Sequence, residues 1–208
     1  MAIEDIFNAV IEFNESKVIE LTQAELNTGT DIDTVLNEGL IAPMDAVGKK
    51  FSDGELFVPE MLMAAQSMKA GLELLRPLLA SGKSKPKGTI IIGTVKGDLH
   101  DIGKNLVSMM LEGAGFKVID LGVDVGAERF IQESRNNEAD IVALSALLTT
   151  TMPSMESTVA SMRQELRQIK IMVGGAPVTQ EFAEKINANG YGSDAPGAVE
   201  IARKLMAA

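Results

Sequence analysis

Gly97-Asp98-Leu99-His100-Asp101-Ile102-Gly103-Lys104-Asn105 decides how this chain is read. The run before it, Thr89-Ile90-Ile91-Ile92-Gly93-Thr94-Val95, is largely apolar and reads as a buried strand. Leu106, Met109, Met110 and Leu111 after it read as one face of a helix. His100, the only histidine of 208 residues, therefore lies on the loop leaving the carboxyl end of a strand. In open α/β sheets ligands bind at that edge. A neutral imidazole is the commonest protein ligand of a transition metal. Asp98, two residues earlier, is placed to hold the other ring nitrogen and fix the tautomer.

Outward from this stretch the pattern repeats. Strands are expected at 116–121, 141–144 and 169–173, with a short one at 190–192. Helices are expected at 104–114, 127–136, 154–168 and 179–188, and from Ala195 onward. The alternation implies right-handed crossovers and a doubly wound parallel sheet. The preceding 80 residues read as a small helical bundle instead. Asn14 and Asp31 are candidate helix caps. Asn27-Thr28-Gly29 closes one helix, a further segment runs from Leu40 to Phe51, and Ser52-Asp53-Gly54 is a turn. Met61, Ala65, Met68, Leu72, Leu75 and Leu79 form the apolar stripe of the longest helix. Pro59 fits its first turn and Pro77 should kink or end its last. The predicted division is a helical domain at 1–81, a lysine-rich linker at 82–88 and an α/β domain at 89–208.

Composition narrows the function classes. A net charge of −10 argues against nucleic acid and anionic membrane as partners. Absence of cysteine excludes disulfides and thiolate metal sites. No apolar run approaches the roughly 18 residues of a membrane span, and the N-terminus lacks a signal peptide's basic flank. A soluble, cytoplasmic protein is expected. The glycines near His100 do not fit the spacing of a dinucleotide fingerprint. A phosphate loop ending at Gly103-Lys104 would need glycine at position 98 and a hydroxyl at 105, where Asp98 and Asn105 stand. Read singly, His100 is a polar loop residue, the hydroxyls of 145–151 are helix caps, and Gly174-Gly175 is a turn. Together, at one sheet edge, they describe a groove with one metal ligand.

Asp98-x-His100-x-x-Gly103, then 41 residues, Ser145-x-Leu147, then 26 residues, Gly174-Gly175, resembles the cobalamin-binding signature of corrinoid methyltransferase proteins. Methionine synthase and cobalamin-dependent mutases share it. Phe51 and Leu56-Phe57-Val58-Pro59-Glu60 resemble that family's helical cap, so the similarity covers nearly the whole chain. The nearest likeness is to free-standing corrinoid proteins of methylamine, methanol and aryl-methyl-ether systems. The resemblance implies a helical cap followed by a Rossmann-like, flavodoxin-like cobalamin-binding domain.

It further implies that His100 is the lower axial ligand to cobalt, with Asp98 on its far nitrogen and Thr151 completing a relay. Leu99, Asp101 and Ile102 belong to the same cofactor-binding segment. The displaced nucleotide tail would lie beside Gly103, Ser145, Thr149, Gly174, Gly175 and Ala195, and Leu147 would be a further cofactor-binding residue. A larger residue at Gly174 or Gly175 would then block the cofactor while the sheet stays folded. Phe51, Phe57, Val58 and Met61 would shield the upper face. The cofactor would pass through methylcob(III)alamin, cob(I)alamin and cob(II)alamin states. The implied partners are a substrate-specific methyltransferase, an acceptor methyltransferase and a corrinoid-reactivating reductase. The chain would be a carrier rather than a complete enzyme. A cobalamin-dependent sensor is the alternative, although nothing basic precedes the bundle. A mutase subunit is disfavoured by the helical half.

Overall fold

The computed structural model describes residues 2–78 and 86–207. Leu79 of the expected stripe and residues 82–85 of the expected linker lie outside them. Two compact units are present, Met1–Pro86 with Glu112–Gly115, and Lys87–Leu111 with Phe116–Ala208.

The helical unit contains α1 (Ala2–Ile11), α2 (Glu15–Thr28), α3 (Ile32–Thr34), a π-helix (Val35–Ile41), α4 (Ala42–Ser52) and α5 (Val58–Leu78). Its ends follow local chemistry. The Asn14 side chain accepts the Lys17 N–H at 3.1 Å, and Asp31 accepts that of Thr34 at 3.0 Å. Gly29, at φ +80°, closes α2 through its N–H to the Glu25 and Leu26 carbonyls. Glu60 accepts the Phe57 N–H at 2.8 Å and so caps α5.

Two expectations are corrected here. Leu40 and Ile41, expected to open the segment that runs to Phe51, end a π-helix instead, and α4 itself begins at Ala42. Pro43 stands in the first turn of α4, where a proline costs no helical hydrogen bond. The buried stripe of α5 also takes in Ala64, Ser67 and Gly71, while Leu72 is half-buried. Small residues let α5 pack closely along α2. A Cβ on Gly71 would lie 2.7 Å from Leu40 and 2.9 Å from Val18. Pro77 lies inside α5, which is described to Leu78.

The α/β unit contains β1 (Thr89–Thr94), α6 (Ile102–Gly113), β2 (Lys117–Asp120), α7 (Ala127–Asn136), β3 (Ile141–Ser145), a 3₁₀ turn (Thr149–Thr151), α8 (Met152–Glu165), β4 (Lys170–Gly174), α9 (Gln180–Lys185), β5 (Gly190–Gly192) and α10 (Ala195–Ala207). All five strands are parallel, in the order β2-β1-β3-β4-β5. Alternate residues fill one buried layer: Ile91 and Val95, Val142 and Leu144, Ile171 and Val173, against Phe130, Met155 and Val159. Gly93 makes room for the Phe130 ring, whose Cζ would be 2.7 Å from a Cβ. Helix α9 ends sooner than periodicity suggests, because Asn187 turns to φ +60° after it.

The register places Thr94, Ser145, Gly174 and Gly192 side by side at the carboxyl ends of β1, β3, β4 and β5. The chain order reverses between β1 and β3. That reversal opens the crevice in which doubly wound sheets bind ligands, and the loops after β1 and β3 flank it.

Candidate functional site

Asp98 is fully buried on the loop after β1, and its carboxylate is held from both loops. Its Oδ1 lies 2.7 Å from His100 Nδ1 and accepts the His100 backbone N–H at 3.1 Å. Its Oδ2 accepts the N–H of Leu147 at 2.8 Å, that of Leu148 at 3.4 Å and the Thr151 hydroxyl at 2.8 Å. Burial by itself raises the carboxyl pKa. The hydrogen bonds from Leu147, from the His100 ring and backbone and from Thr151 outweigh it, and hold the group well below the usual carboxylate range.

An ionised carboxylate only accepts hydrogen bonds, so the neutral imidazole keeps its proton on Nδ1. The lone pair is then on Nε2, which makes no hydrogen bond among the described residues. The His100 side chain is half exposed, at 50%. Apolar side chains on these loops and at the start of α6 also face solvent: Leu99 is 71% exposed, Ile102 77% and Leu147 44%. Among the described residues no group of three or more His, Cys, Asp or Glu could hold a metal ion. A free ion thus lacks a ligand set here, whereas a metal already held in an apolar macrocycle needs only one protein ligand. The residues present fit such a group.

The other predicted residues are placed unevenly. Ser145 ends β3 beside Thr94 and Gly174, and its hydroxyl, like that of Thr149, makes no hydrogen bond among the described residues. Gly103 faces open space, with nothing within 4 Å of a Cβ built there. Asp101 is exposed and accepts from the Asn105 amide at 3.1 Å. Ala195 is buried at the start of α10. Phe51, Phe57, Val58 and Met61 belong to the helical unit. Phe57 is 70% exposed, while Met61 is fully buried and has no free surface.

Gly174 and Gly175 require a correction. A Cβ on Gly174 would lie 2.9 Å from the Gly192 carbonyl oxygen, and one on Gly175 only 1.9 Å from that of Ala146. Gly175 also has φ +124°. Their small size is demanded by the protein's own backbone, so a larger residue there would not leave the sheet intact.

Sequence reasoning missed three features. The N–H groups of Leu147 and Leu148 cage Asp98, and backbone donors have no residue signature. Thr94, buried at the end of β1, donates through its hydroxyl to the His100 carbonyl at 2.9 Å. Lys104 is buried with its ammonium on the Asp120 carboxylate and 2.7 Å from Asn105 Oδ1, which ties the first turn of α6 to the end of β2.

The cage predicts a pH-dependent stability. The folded carboxyl of Asp98 is lowered, so its contribution is fully present above the ordinary pKa of about 3.9 and is lost as the pH falls through the lowered value. Asp98→Asn should cost on the order of 2–4 kcal/mol at pH 7. Urea unfolding of the cofactor-free protein at pH 7 and pH 3 measures this. The gap between parent and variant should shrink at the lower pH, and an equal gap would contradict an ionised cage.

Comparison with known proteins bears on the same residues. Residues 88–200 match a family described as a B12 binding domain, and residues 2–76 match a second family of that description. Trimethylamine corrinoid protein 2 of Methanosarcina mazei is 43% identical over 196 residues, spanning 92% of this chain and 90% of that protein. A corrinoid protein of Desulfitobacterium hafniense is 39% identical over 98% of this chain and 97% of its own length. Among solved structures, the methanol:cobalamin methyltransferase complex MtaBC of Methanosarcina barkeri aligns with TM-score 0.88 and 32% identity. It covers 99% of this chain and 80% of that one. A cobalamin-binding protein of Desulfitobacterium hafniense aligns with TM-score 0.80 and 28% identity over 98% of both chains. Among the described residues no helix is long and apolar enough to cross a membrane.

Proposed function

This chain belongs to the B12-binding corrinoid proteins of methyltransferase systems, and on that premise we propose that it carries a methyl group on a corrinoid held base-off with His100 Nε2 as lower axial ligand. The observation that carries the reading is the free Nε2 of an imidazole whose Nδ1 is tied, at 2.7 Å, to a fully buried carboxylate at the sheet's switch point. When bound, the corrinoid supplies a cobalt centre that accepts and gives up a methyl group.

The chain's own residues do the rest. Asp98 keeps the proton on Nδ1 and raises the basicity of Nε2. Thr151 and the Leu147 and Leu148 N–H groups hold Asp98 ionised and unable to turn away. Leu99, Ile102 and Leu147 offer apolar cover to a macrocycle. Open space at Gly103 and the unengaged hydroxyls of Ser145 and Thr149 suit the displaced nucleotide tail. In this reading residues 1–81 are a cap, and exposed Phe57 and Val58 are its shielding side chains.

The partners that follow are a substrate:corrinoid methyltransferase, a second methyltransferase passing the methyl to tetrahydrofolate or a thiol coenzyme, and a reactivating reductase. Support for the first comes from the methanol:cobalamin methyltransferase complex, one chain of which aligns with 99% of this chain and is itself covered to 80%.

The test is isotopic. Chain labelled with ¹⁵N is loaded with unlabelled hydroxocobalamin, reduced to the cob(II) state, and examined by electron paramagnetic resonance. A protein ligand gives the doublet splitting of one ¹⁵N. The triplet of ¹⁴N would mean that the cofactor's own base is still bound, and no nitrogen splitting would mean no axial imidazole. Either result overturns the proposal.

A further inference from the structure

We propose that Asp124, on the turn between β2 and α7, is a positioning residue for the Asp98–His100 pair. The inference rests on the reading of His100 as axial ligand. Asp124 is exposed and adopts φ +55°, a conformation that disfavours side chains other than those of Asn and Asp. Glycine would satisfy the turn at lower conformational cost. The carboxylate adds something glycine lacks: Asp124 Oδ1 accepts the Gly97 N–H at 2.7 Å, directly before Asp98. The Asp124 N–H in turn donates to the Asp98 carbonyl at 3.0 Å. Asp98 is thus gripped through its own backbone and that of its neighbour.

The surrounding bonds show what this grip extends. The Thr94 N–H donates to the Gly122 carbonyl, and the Val125 N–H to that of Thr94, each at 3.0 Å. Val95 and Val125 form a parallel bridge beyond the ends of their strands. The β2–α7 turn therefore continues the ladder past β1, and Asp124 ends it where Gly97, at φ +87°, turns the chain toward His100. Beyond that point the His100 loop is secured by Asp98 itself and by Thr94. If the backbone of 97–98 loosens, the Asp98 carboxylate shifts against Leu147 and Thr151, and the ring it orients shifts with it.

Two substitutions separate positioning from plain turn chemistry, because both tolerate the positive φ. Asp124→Gly removes the acceptor, and Asp124→Asn keeps an oxygen for the Gly97 N–H. Full-length protein, ¹⁵N-labelled and loaded with hydroxocobalamin, is reduced to the cob(II) state. The fraction showing the ¹⁵N splitting of the chain's imidazole is measured beside the melting temperature. The expected result is a loss of about tenfold in the ratio of ligated to unligated cofactor for Asp124→Gly, with melting nearly unchanged, and parental behaviour for Asp124→Asn. A parental ratio in Asp124→Gly, with the splitting present in the parent, overturns the inference and leaves the His100 reading standing. Absence of the splitting from the parent itself overturns both. Loss in both variants alike assigns the effect to the negative charge and overturns the positioning role.

Discussion

His100→Ala is expected to weaken cobalamin binding by at least the roughly 10–100-fold that follows loss of a mere partner of a metal ligand, and to abolish methyl transfer with the partner enzymes. The fold should survive. The loop is held by the backbone of His100, through its N–H to Asp98 Oδ1 at 3.1 Å and its carbonyl to Thr94 at 2.9 Å, and the half-exposed ring contributes little burial. Cofactor-free stability should nonetheless fall by about 1–2 kcal/mol, because the ring's hydrogen bond to the buried Asp98 carboxylate is lost. Equilibrium dialysis against hydroxocobalamin, with urea unfolding of the same preparations, measures both quantities. The His100→Gly variant adds a chemical control, since free imidazole at millimolar concentration should restore part of the axial ligation by entering the vacated space. Unchanged affinity in either variant would remove the histidine from the metal.

Much of this was legible in the sequence, for identifiable reasons. Strands such as 89–95 and 141–145 are buried on both faces, so they appear as unbroken apolar runs between turn residues. The pairing of Asp98 with His100 was readable because the two side chains have distinctive chemistry two residues apart, whereas Thr151, one of three consecutive threonines, was reached only through the family resemblance. The π-helix at Val35–Ile41 was not, since its apolar positions also satisfy an ordinary helix and only backbone bonding tells the two apart. Asp124 was missed for a related reason. An aspartate after Gly122-Val123 looks like any turn residue until its φ and its bond to Gly97 are seen. The glycines show the converse limit. Gly103, Gly174 and Gly175 share one residue type, so the sequence does not show that a Cβ would meet backbone at two of them and open space at the third.

That difference yields a prediction independent of the cofactor. Gly175→Ala should destabilise the cofactor-free protein by about 3 kcal/mol or more, because the new methyl group would lie 1.9 Å from the Ala146 carbonyl oxygen at a backbone φ of +124°. Ala146 cannot yield easily, for its N–H is bonded to the Gly174 carbonyl at 3.2 Å and its side chain is fully buried. Gly103→Ala is the contrasting case. Gly103 lies in the first turn of α6, and its Cβ would enter open space. Alanine in a helix is favoured over glycine by about 0.5–1 kcal/mol, so this variant should be as stable as the parent or slightly more so. Its methyl group would instead intrude where the nucleotide tail is proposed to lie, and cobalamin uptake should fall. Urea unfolding and cobalamin titration on both proteins separate the two roles. If Gly103→Ala binds normally, the tail lies elsewhere; if Gly175→Ala unfolds like the parent, the close approach of β4 to the loop after β3 is wrong.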